Sequence, residues 1–375
     1  MKILVTGGAG FIGANLVTRL HAQDHEVRVL DILSPQIHGA ASDESPLRQL
    51  IEGKCEFLRG DVTDAATVSA ALDGCEAVVH LAAETGTGQS MYEVARYCHT
   101  NVQGTAVLLE AIAARADRIR KVVVASSRAV YGEGRYSLDG QFVYPATRQE
   151  SDLAAGHFDP RDPASGRTLK VEATDEESRI LPNSIYGVTK YTQEQMTMLN
   201  CKSLGVDAVA LRFQNVYGPG QSLSNPYTGI LSIFSTRIRH GRGIDVYEDG
   251  EESRDFVYID DVVESIVLSL TRPQAAGQVF GIGTGVATSV LTVAHTLATQ
   301  YGIDVPIQVT RAYRVGDIRH NFADTAKASA LLGFRAQVGF EDGLRNFTRW
   351  VLEQPIQPDT YGESLESLKK RGLFK

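Results

Sequence analysis

Short apolar runs recur through the first 130 residues, separated by stretches whose apolar residues return every three or four positions. Ile3–Val5, Val27–Leu30, Cys55–Leu58, Ala77–Leu81 and Val122–Ala125 read as short buried strands, of the kind covered on both faces in a parallel sheet. Ala14–Ala22 and Ala65–Leu72 between them read as amphipathic helices. The strand–helix alternation predicts an α/β fold built on a doubly wound parallel sheet.

The rhythm breaks at Glu133–Pro182, rich in Gly, Pro, Asp and Arg and without a sustained period. Fifty residues without structure would be unusual in a compact domain, so this stretch is expected to be an insertion of loops and short strands, folded over the cleft mouth or against a partner. The sheet pattern resumes with a long helix over Ser184–Leu204 and a strand over Ala208–Phe213. The expected organisation is a sheet domain of residues 1–132, 183–216 and about 257–283. Residues 133–182 form the insertion, and residues 217–256 and 284–375 a smaller mixed α/β lobe. Tyr258–Leu270 is expected to return to the first domain.

Composition narrows the function classes. A chain of 375 residues with 43% hydrophobic and 22% charged residues is globular. A net charge of −8 argues against nucleic acid as a partner, which needs a basic face. No apolar run reaches eighteen residues, and the first residues form a strand and a glycine turn, so neither a membrane partner nor a signal peptide is expected. Cys55, Cys75, Cys98 and Cys201 lack metal-ligand spacing; reduced thiols in a cytoplasmic protein and no metal site are the expectation.

The chemistry lies in two motifs. Gly7, Gly10 and Gly13 follow the first strand and open the first helix, where free N–H groups and the positive end of the helix dipole favour a pyrophosphate. The glycines allow a tight turn, close approach of backbone to phosphate, and close helix–strand packing. The spacing is G-x-x-G-x-x-G, and glycine turns also arise for structural reasons. Asp31, ending the second strand, can accept both ribose hydroxyls. No Arg or Lys lies between it and Arg48 to hold a 2′-phosphate, so NAD is favoured over NADP. Asp61-Val62 suits the adenine edge, and the small residues of His80-Leu81-Ala82-Ala83 suit close passage of a cofactor. The second motif is Tyr186-x-x-x-Lys190, which sets phenol and ammonium one helical turn apart on one face. A nearby ammonium is expected to stabilise the phenolate, and Ser126 and Ser127, closing the fifth strand, are candidate hydroxyl donors.

With these residues in place the chain resembles the extended short-chain dehydrogenases/reductases of the NAD-dependent sugar-nucleotide epimerase/dehydratase type, a Rossmann-fold family. The resemblance rests on Thr6–Gly13, Asp61-Val62, His80–Ala83, Asn101–Thr105, Ser126–Gly132, Tyr186–Lys190, Arg212–Gly218 and Arg254–Asp261. It implies Tyr186 as base, Lys190 as its electrostatic partner and Ser127 as the hydroxyl that orients the substrate. Gly7, Gly10, Phe11, Ile12, Gly13, Asp31, Asp61, Val62, Leu81, Ala82, Ala83 and Asn101 are implied to bind NAD, Asn101 also holding a water or the lysine. On the substrate side it implies Glu84, Thr85, Gly86, Ser127, Arg128, Asn215, Tyr247, Arg254 and Arg314, with Asn215 and the last two arginines on the diphosphate. It also implies a homodimer paired through long helices.

Members of this family share a first step that makes a 4-keto sugar. Dehydratases carry an acidic pair directly after the active-site hydroxyl residue; here Arg128 and Ala129 stand there, so the carboxyl that elimination needs is missing. Epimerisation at C4 needs none. Glu84–Met91, Ser126–Gly132 and Asn225–Phe234 are together similar to the dTDP-L-rhamnose 4-epimerases, which make dTDP-6-deoxy-L-talose. His157–Gly166 is similar to a cysteine-bearing knuckle of some of those relatives, with Asp162 and Ser165 at the cysteine places. A UDP-hexose 4-epimerase and a non-catalytic NAD-binding sensor or assembly protein are the alternatives. Tyr186 and Lys190 weigh against the last.

Overall fold

The computed structural model describes residues 1–39, 41–223, 225, 229–359 and 361–375. Its centre is a seven-stranded, wholly parallel sheet. The strands are β1 (Lys2–Thr6), β2 (Glu26–Asp31), β3 (Glu56–Arg59), β4 (Ala77–His80), β5 (Lys121–Ser127), β6 (Asp207–Phe213) and β7 (Gln278–Ile282). They lie in the order β7-β6-β5-β4-β1-β2-β3, so the chain reverses direction across the sheet between β1 and β4 and leaves a crevice at their carboxyl ends.

Five helices cover the sheet: α1 (Phe11–Ala22), α2 (Ala65–Ala71), α3 (Gly104–Ala113), α4 (Ile185–Leu204) and α5 (Ile259–Thr271). Strand alternation decides which face each residue serves. Ile3, Val5, Val27 and Val29 pack with Leu16, Leu20, Val262 and Ile266 of α1 and α5. Leu4 and Leu30 point the other way, to Val68, Leu108, Ile112 and Cys201 of α2, α3 and α4. Arg28 interrupts the apolar run of β2 yet is buried, because its guanidinium donates to the carbonyls of Ala70, Ala71 and Asp73 at the end of α2 and pairs with Glu56 at 2.7 Å.

α4 starts where the Ser184 hydroxyl accepts from the Gly187 amide and stops at Gly205, which is left-handed at φ 68°. A Cβ on Gly187 would stand 2.5 Å from the Ala129 carbonyl, so only glycine lets the first turn of α4 close on the turn after β5. Further along α4, buried Glu194 accepts from Arg212 of β6 at 2.6 and 3.0 Å and from the Ser126 hydroxyl of β5 at 2.6 Å. Arg212 also donates to the Tyr131 hydroxyl at 2.7 Å.

The insertion forms a three-stranded antiparallel sheet with Tyr136–Leu138 between Gln141–Val143 and Lys170–Val171, and a short helix over Glu150–Ala154. None of its residues lines the cleft, contrary to the expected cover over the mouth. Ion pairs hold it against the strand–turn segments of the later chain: Arg148 reaches Glu248 at 2.8 Å, and Asp159 accepts from Arg319 at 2.7 Å. The stretch with Asp162 and Ser165 closes on itself, Asp162 accepting from the amide and hydroxyl of Ser165. The C-terminal residues are docked. Helix Tyr361–Lys370 leads to an edge in which Tyr313 and Lys375 exchange backbone hydrogen bonds of 2.9 and 3.1 Å, and the Arg371 guanidinium lies 4.0 Å over the Tyr92 ring. No described helix is long and apolar enough to cross a membrane.

The buried pair joining α4 to the sheet sets a stability expectation. Glu194→Ala leaves the Arg212 charge uncompensated and should cost about 3–5 kcal/mol in chemical denaturation. The double variant Glu194→Leu/Arg212→Met, which removes both charges, should recover more than half of that loss.

Candidate active site

The crevice holds a cleft of about 690 Å³. Its floor is the turn between β1 and α1. A Cβ on Gly13 would sit 2.3 Å from the Gly7 carbonyl oxygen, which forces the close packing of turn and helix expected of the third glycine. Gly7, Gly10, Phe11, Ile12 and Gly13 all line the cleft. Asp31 is fixed at the end of β2, its two oxygens accepting from the amides of Ala9 at 2.9 Å and Leu33 at 2.8 Å. Each oxygen keeps a free lone-pair site toward the cleft, which suits a ribose diol. Asp61, Val62, Leu81, Ala82 and Ala83 continue the same wall. An open glycine turn at a helix N-terminus with a carboxylate at the next strand end is a donor set that fits NAD.

The opposite end gathers Ser127, Arg128, Tyr186, Lys190 and Asn215 with Glu84, Thr85 and Gly86. Ser127 ends β5, and its hydroxyl caps the following turn by accepting from the Ala129 amide at 3.1 Å. Tyr186 lies in the first turn of α4, its amide donating to the Ser90 hydroxyl at 3.0 Å. Burial raises the Tyr186 phenol above its ordinary pKa; a hydrogen bond with Ser127 and the charge of Arg128 pull against that rise. Lys190 follows one turn later on the same face of α4 and lines the same cleft. Burial brings its own pKa down to about 7, against the charge of Glu194, which raises it.

Lys190 is held by a residue that the motif does not contain. Its ammonium donates to the Gln193 Oε1 at 2.8 Å, and the Gln193 amide donates to the Thr105 hydroxyl at 2.9 Å. His80, fully buried, exchanges hydrogen bonds with Thr6 at 2.7 Å and Thr105 at 2.9 Å, and burial pushes it down to about 3. It is neutral and ties β1, β4 and α3 together. Tyr97 packs edge-on to Tyr186 with ring centres 6.5 Å apart, and its hydroxyl donates to the carbonyls of Thr85 and Gly86 at 2.5 and 3.0 Å. The Glu84 carboxylate pairs with Arg96 at 2.8 Å. Gln193 had one signal in the sequence, a polar residue three positions after Lys190 on the same helical face. Tyr97 had none.

Four of the expected residues are not among those that line this cleft. The Asn101 carbonyl accepts from the Glu84 amide at 2.7 Å, while its NH₂ donates to the Glu84 carbonyl and the Thr189 hydroxyl. Its amide is spent on fixing the loop after β4 to α4, so it reaches neither Lys190 nor the cleft. Arg254 gives its terminal nitrogens to the carbonyls of Ser253, Ile318 and Arg319 and to Asp317 at 3.2 Å, leaving only its Nε–H uncommitted. Arg314 lies 5.2 Å over the Tyr247 ring, and the Tyr247 hydroxyl is 2.5 Å from that of Tyr361. Within Asn225–Phe234, Pro226, Tyr227 and Thr228 lie outside the described residues, while Gly229, Ile230 and Leu231 line the cleft.

Comparison with known proteins agrees with this arrangement. The sequence model of the NAD dependent epimerase/dehydratase family matches residues 3–283. A dTDP-L-rhamnose 4-epimerase of Burkholderia thailandensis is 43% identical over 94% of this chain and 95% of its own. A UDP-glucose 4-epimerase of Mycolicibacterium smegmatis is 31% identical over 92% and 96%. Among solved structures, a UDP-glucuronic acid 4-epimerase from Bacillus cereus, in complex with UDP-glucuronic acid and NAD, superposes with a TM-score of 0.77 at 26% identity, covering 94% of this chain and 99% of that one. Given the matched length, this chain belongs to the NAD dependent epimerase/dehydratase family.

Proposed function

We propose that the protein is a nucleotide-sugar 4-epimerase that interconverts dTDP-L-rhamnose and dTDP-6-deoxy-L-talose. The observation that carries this is the pairing of Tyr186 with Ser127 in a cleft where the next two positions, Arg128 and Ala129, offer no carboxyl for elimination. The 43% identity to the Burkholderia thailandensis enzyme supports the choice of sugar. A UDP-hexose substrate is the second reading, favoured by the UDP-glucose 4-epimerase relative.

In this reading residues 1–132, 183–216 and about 257–283 bind the cofactor, and residues 217–256 and 284–375 bind the nucleotide sugar. Bound NAD supplies a hydride acceptor that later acts as donor, so none is consumed. The residues of the chain handle the proton. The Tyr186 phenolate takes the proton of the C4 hydroxyl as that carbon is oxidised to a ketone, and Ser127 holds the oxygen in line. Tyr186 returns the proton to the same oxygen after the keto sugar has turned its opposite face. Lys190, anchored by Gln193, is the group placed to reach the nicotinamide ribose. Glu84, Thr85, Gly86 and Arg128 surround the sugar, with Asn215 on the diphosphate. Arg254, Arg314 and Tyr247 belong to the same substrate side, where the arginines add positive potential.

A homodimer belongs to the same proposal. Val188 and Leu199 are exposed on α4 eleven residues apart, three helical turns, so they share one face. Met91 and Val94 are exposed nearby in sequence to the neighbouring helix. Such apolar side chains on adjoining helices suit a self-complementary contact about a twofold axis.

Purified protein incubated with dTDP-L-rhamnose and no added NAD should yield a second sugar inverted at C4 in proton NMR of the ring. No change even with NAD supplied, together with turnover of UDP-hexoses, would move the assignment to the second reading. Tyr186→Phe should lower the rate by about 10²–10⁴-fold while the fold is kept. Light scattering should give the mass of two chains, and Leu199→Asp should shift it toward one.

A further inference from the structure

The two loops that flank the glycine turn are joined to each other. In the sheet β1 lies between β2 and β4, so a dinucleotide running from Asp31 at the end of β2 to Tyr186 beyond β5 has to cross the end of β1. The loop after β2 carries the short helix Pro35–His38, and the loop after β4 the short helices Thr87–Ser90 and Val94–Tyr97. Gln36 and Gln89 exchange amide hydrogen bonds between these loops. The Gln36 Nε2 donates to the Gln89 Oε1 at 2.9 Å, and the Gln89 Nε2 donates to the Gln36 Oε1 at 3.2 Å. The Arg96 guanidinium donates a third bond to the Gln36 Oε1 at 2.9 Å. Gln36 and Arg96 line the cleft together with Gly7 and Gly10 of the turn.

The side of this bridge after β4 is firmly anchored. Gln89 is buried, and its Nε2 also donates to the Glu93 carboxylate at 3.0 Å. Arg96 is held by Glu84 and Glu93, each at 2.8 Å. The Ser90 hydroxyl, next in the chain, accepts from the Tyr186 amide. Gln36 meets this anchored side with a partly buried amide. Parting the loops strips the buried Gln89 amide of one donor and one acceptor at once. A buried polar group left unmet is costly, so the joined arrangement is the favoured one.

We propose that Gln36, Gln89 and Arg96 form a strap that closes over NAD where it crosses the glycine turn and keeps the cofactor in the protein between turnovers. The loops on either side of the crossing cannot part to release a dinucleotide while these bonds hold. The inference rests on the reading of the cleft as the NAD site and not on the identity of the sugar. It gives a physical reason for a cofactor that serves as acceptor and then donor on one sugar. Exchange slower than the catalytic cycle ensures that the hydride taken from a sugar is returned to it.

The test is exchange of the retained cofactor, which needs no sugar. The purified holoprotein is incubated with excess deuterium-labelled NAD, and the cofactor released on denaturation is analysed by mass spectrometry at successive times. The parent should exchange slowly. Gln36→Met, which keeps the bulk of the side chain and removes its bonds, should exchange about ten- to a hundredfold faster, the loss expected of two or three hydrogen bonds. Gln89→Met should also exchange faster, and the double variant should be no faster than Gln36→Met, because both changes break one bridge. Gln36 is not fully buried, so Gln36→Met carries the test if Gln89→Met fails to fold. A parent that loses NAD on gel filtration, an unchanged exchange rate in Gln36→Met, or single effects that multiply in the double variant would overturn the strap. The expected exchange pattern in a protein that turns over neither dTDP-L-rhamnose nor a UDP-hexose upholds the strap and overturns only the sugar assignment. A parent that takes up no NAD overturns the reading of the cleft together with the strap.

Discussion

A carboxylate and a guanidinium shielded from water set the geometry on which the site depends. Glu194 of α4 takes both forks of Arg212 and the hydroxyl of Ser126, joining a helix to two neighbouring strands at their carboxyl ends. A buried ion pair adds little net stability compared with an apolar filling, yet it tolerates only one arrangement of its partners. It sits one helical turn beyond Lys190 and two beyond Tyr186, and Ser126 precedes Ser127. Fixing Glu194 against Ser126 therefore fixes the register in which phenol and serine hydroxyl meet. Gly187, without a side chain, permits the close approach that this register demands.

Burial then reshapes the chemistry of the groups so placed. In a low-dielectric cleft the charged form of each side chain is disfavoured: the Lys190 ammonium falls to about 7 and the Tyr186 phenol rises. The same desolvation works against the charged form of both partners of the motif. The serine hydroxyl and a second cation act against the cost of burial. The neutral His80–Thr105–Gln193 network shows the complementary design: it meets Lys190 with uncharged, hydrogen-bonded groups.

A second buried network shapes the far wall. Glu133, Arg148, Glu248 and Arg319 alternate in charge between the insertion and the later chain. Arg148 also donates to the carbonyl of Asp317, whose carboxylate meets Arg254. Burial with Glu248 close by pushes the Glu252 carboxyl up to about 8, so it adds no negative charge near neutrality. The insertion thus reaches the substrate side indirectly, by holding the residues that hold Arg254.

The periodicity of the first 130 residues determined the strands and their helices, because burial on both faces requires continuous apolar runs and amphipathic covers follow from them. The glycine turn with Asp31, and Tyr186 with Lys190 and Ser127, were legible too, since backbone geometry and one helical turn fix what can stand together locally. The sequence could not say that Asn101 spends its amide on Glu84 and Thr189, that Gln193 takes the lysine, or that Arg254 is bound by carbonyls. Nor could it place the insertion away from the cleft or dock the C-terminal residues beside Tyr313. Those outcomes depend on which donors and acceptors meet across many residues of chain, and on how much water folding leaves them. Both are decided only when distant elements pack.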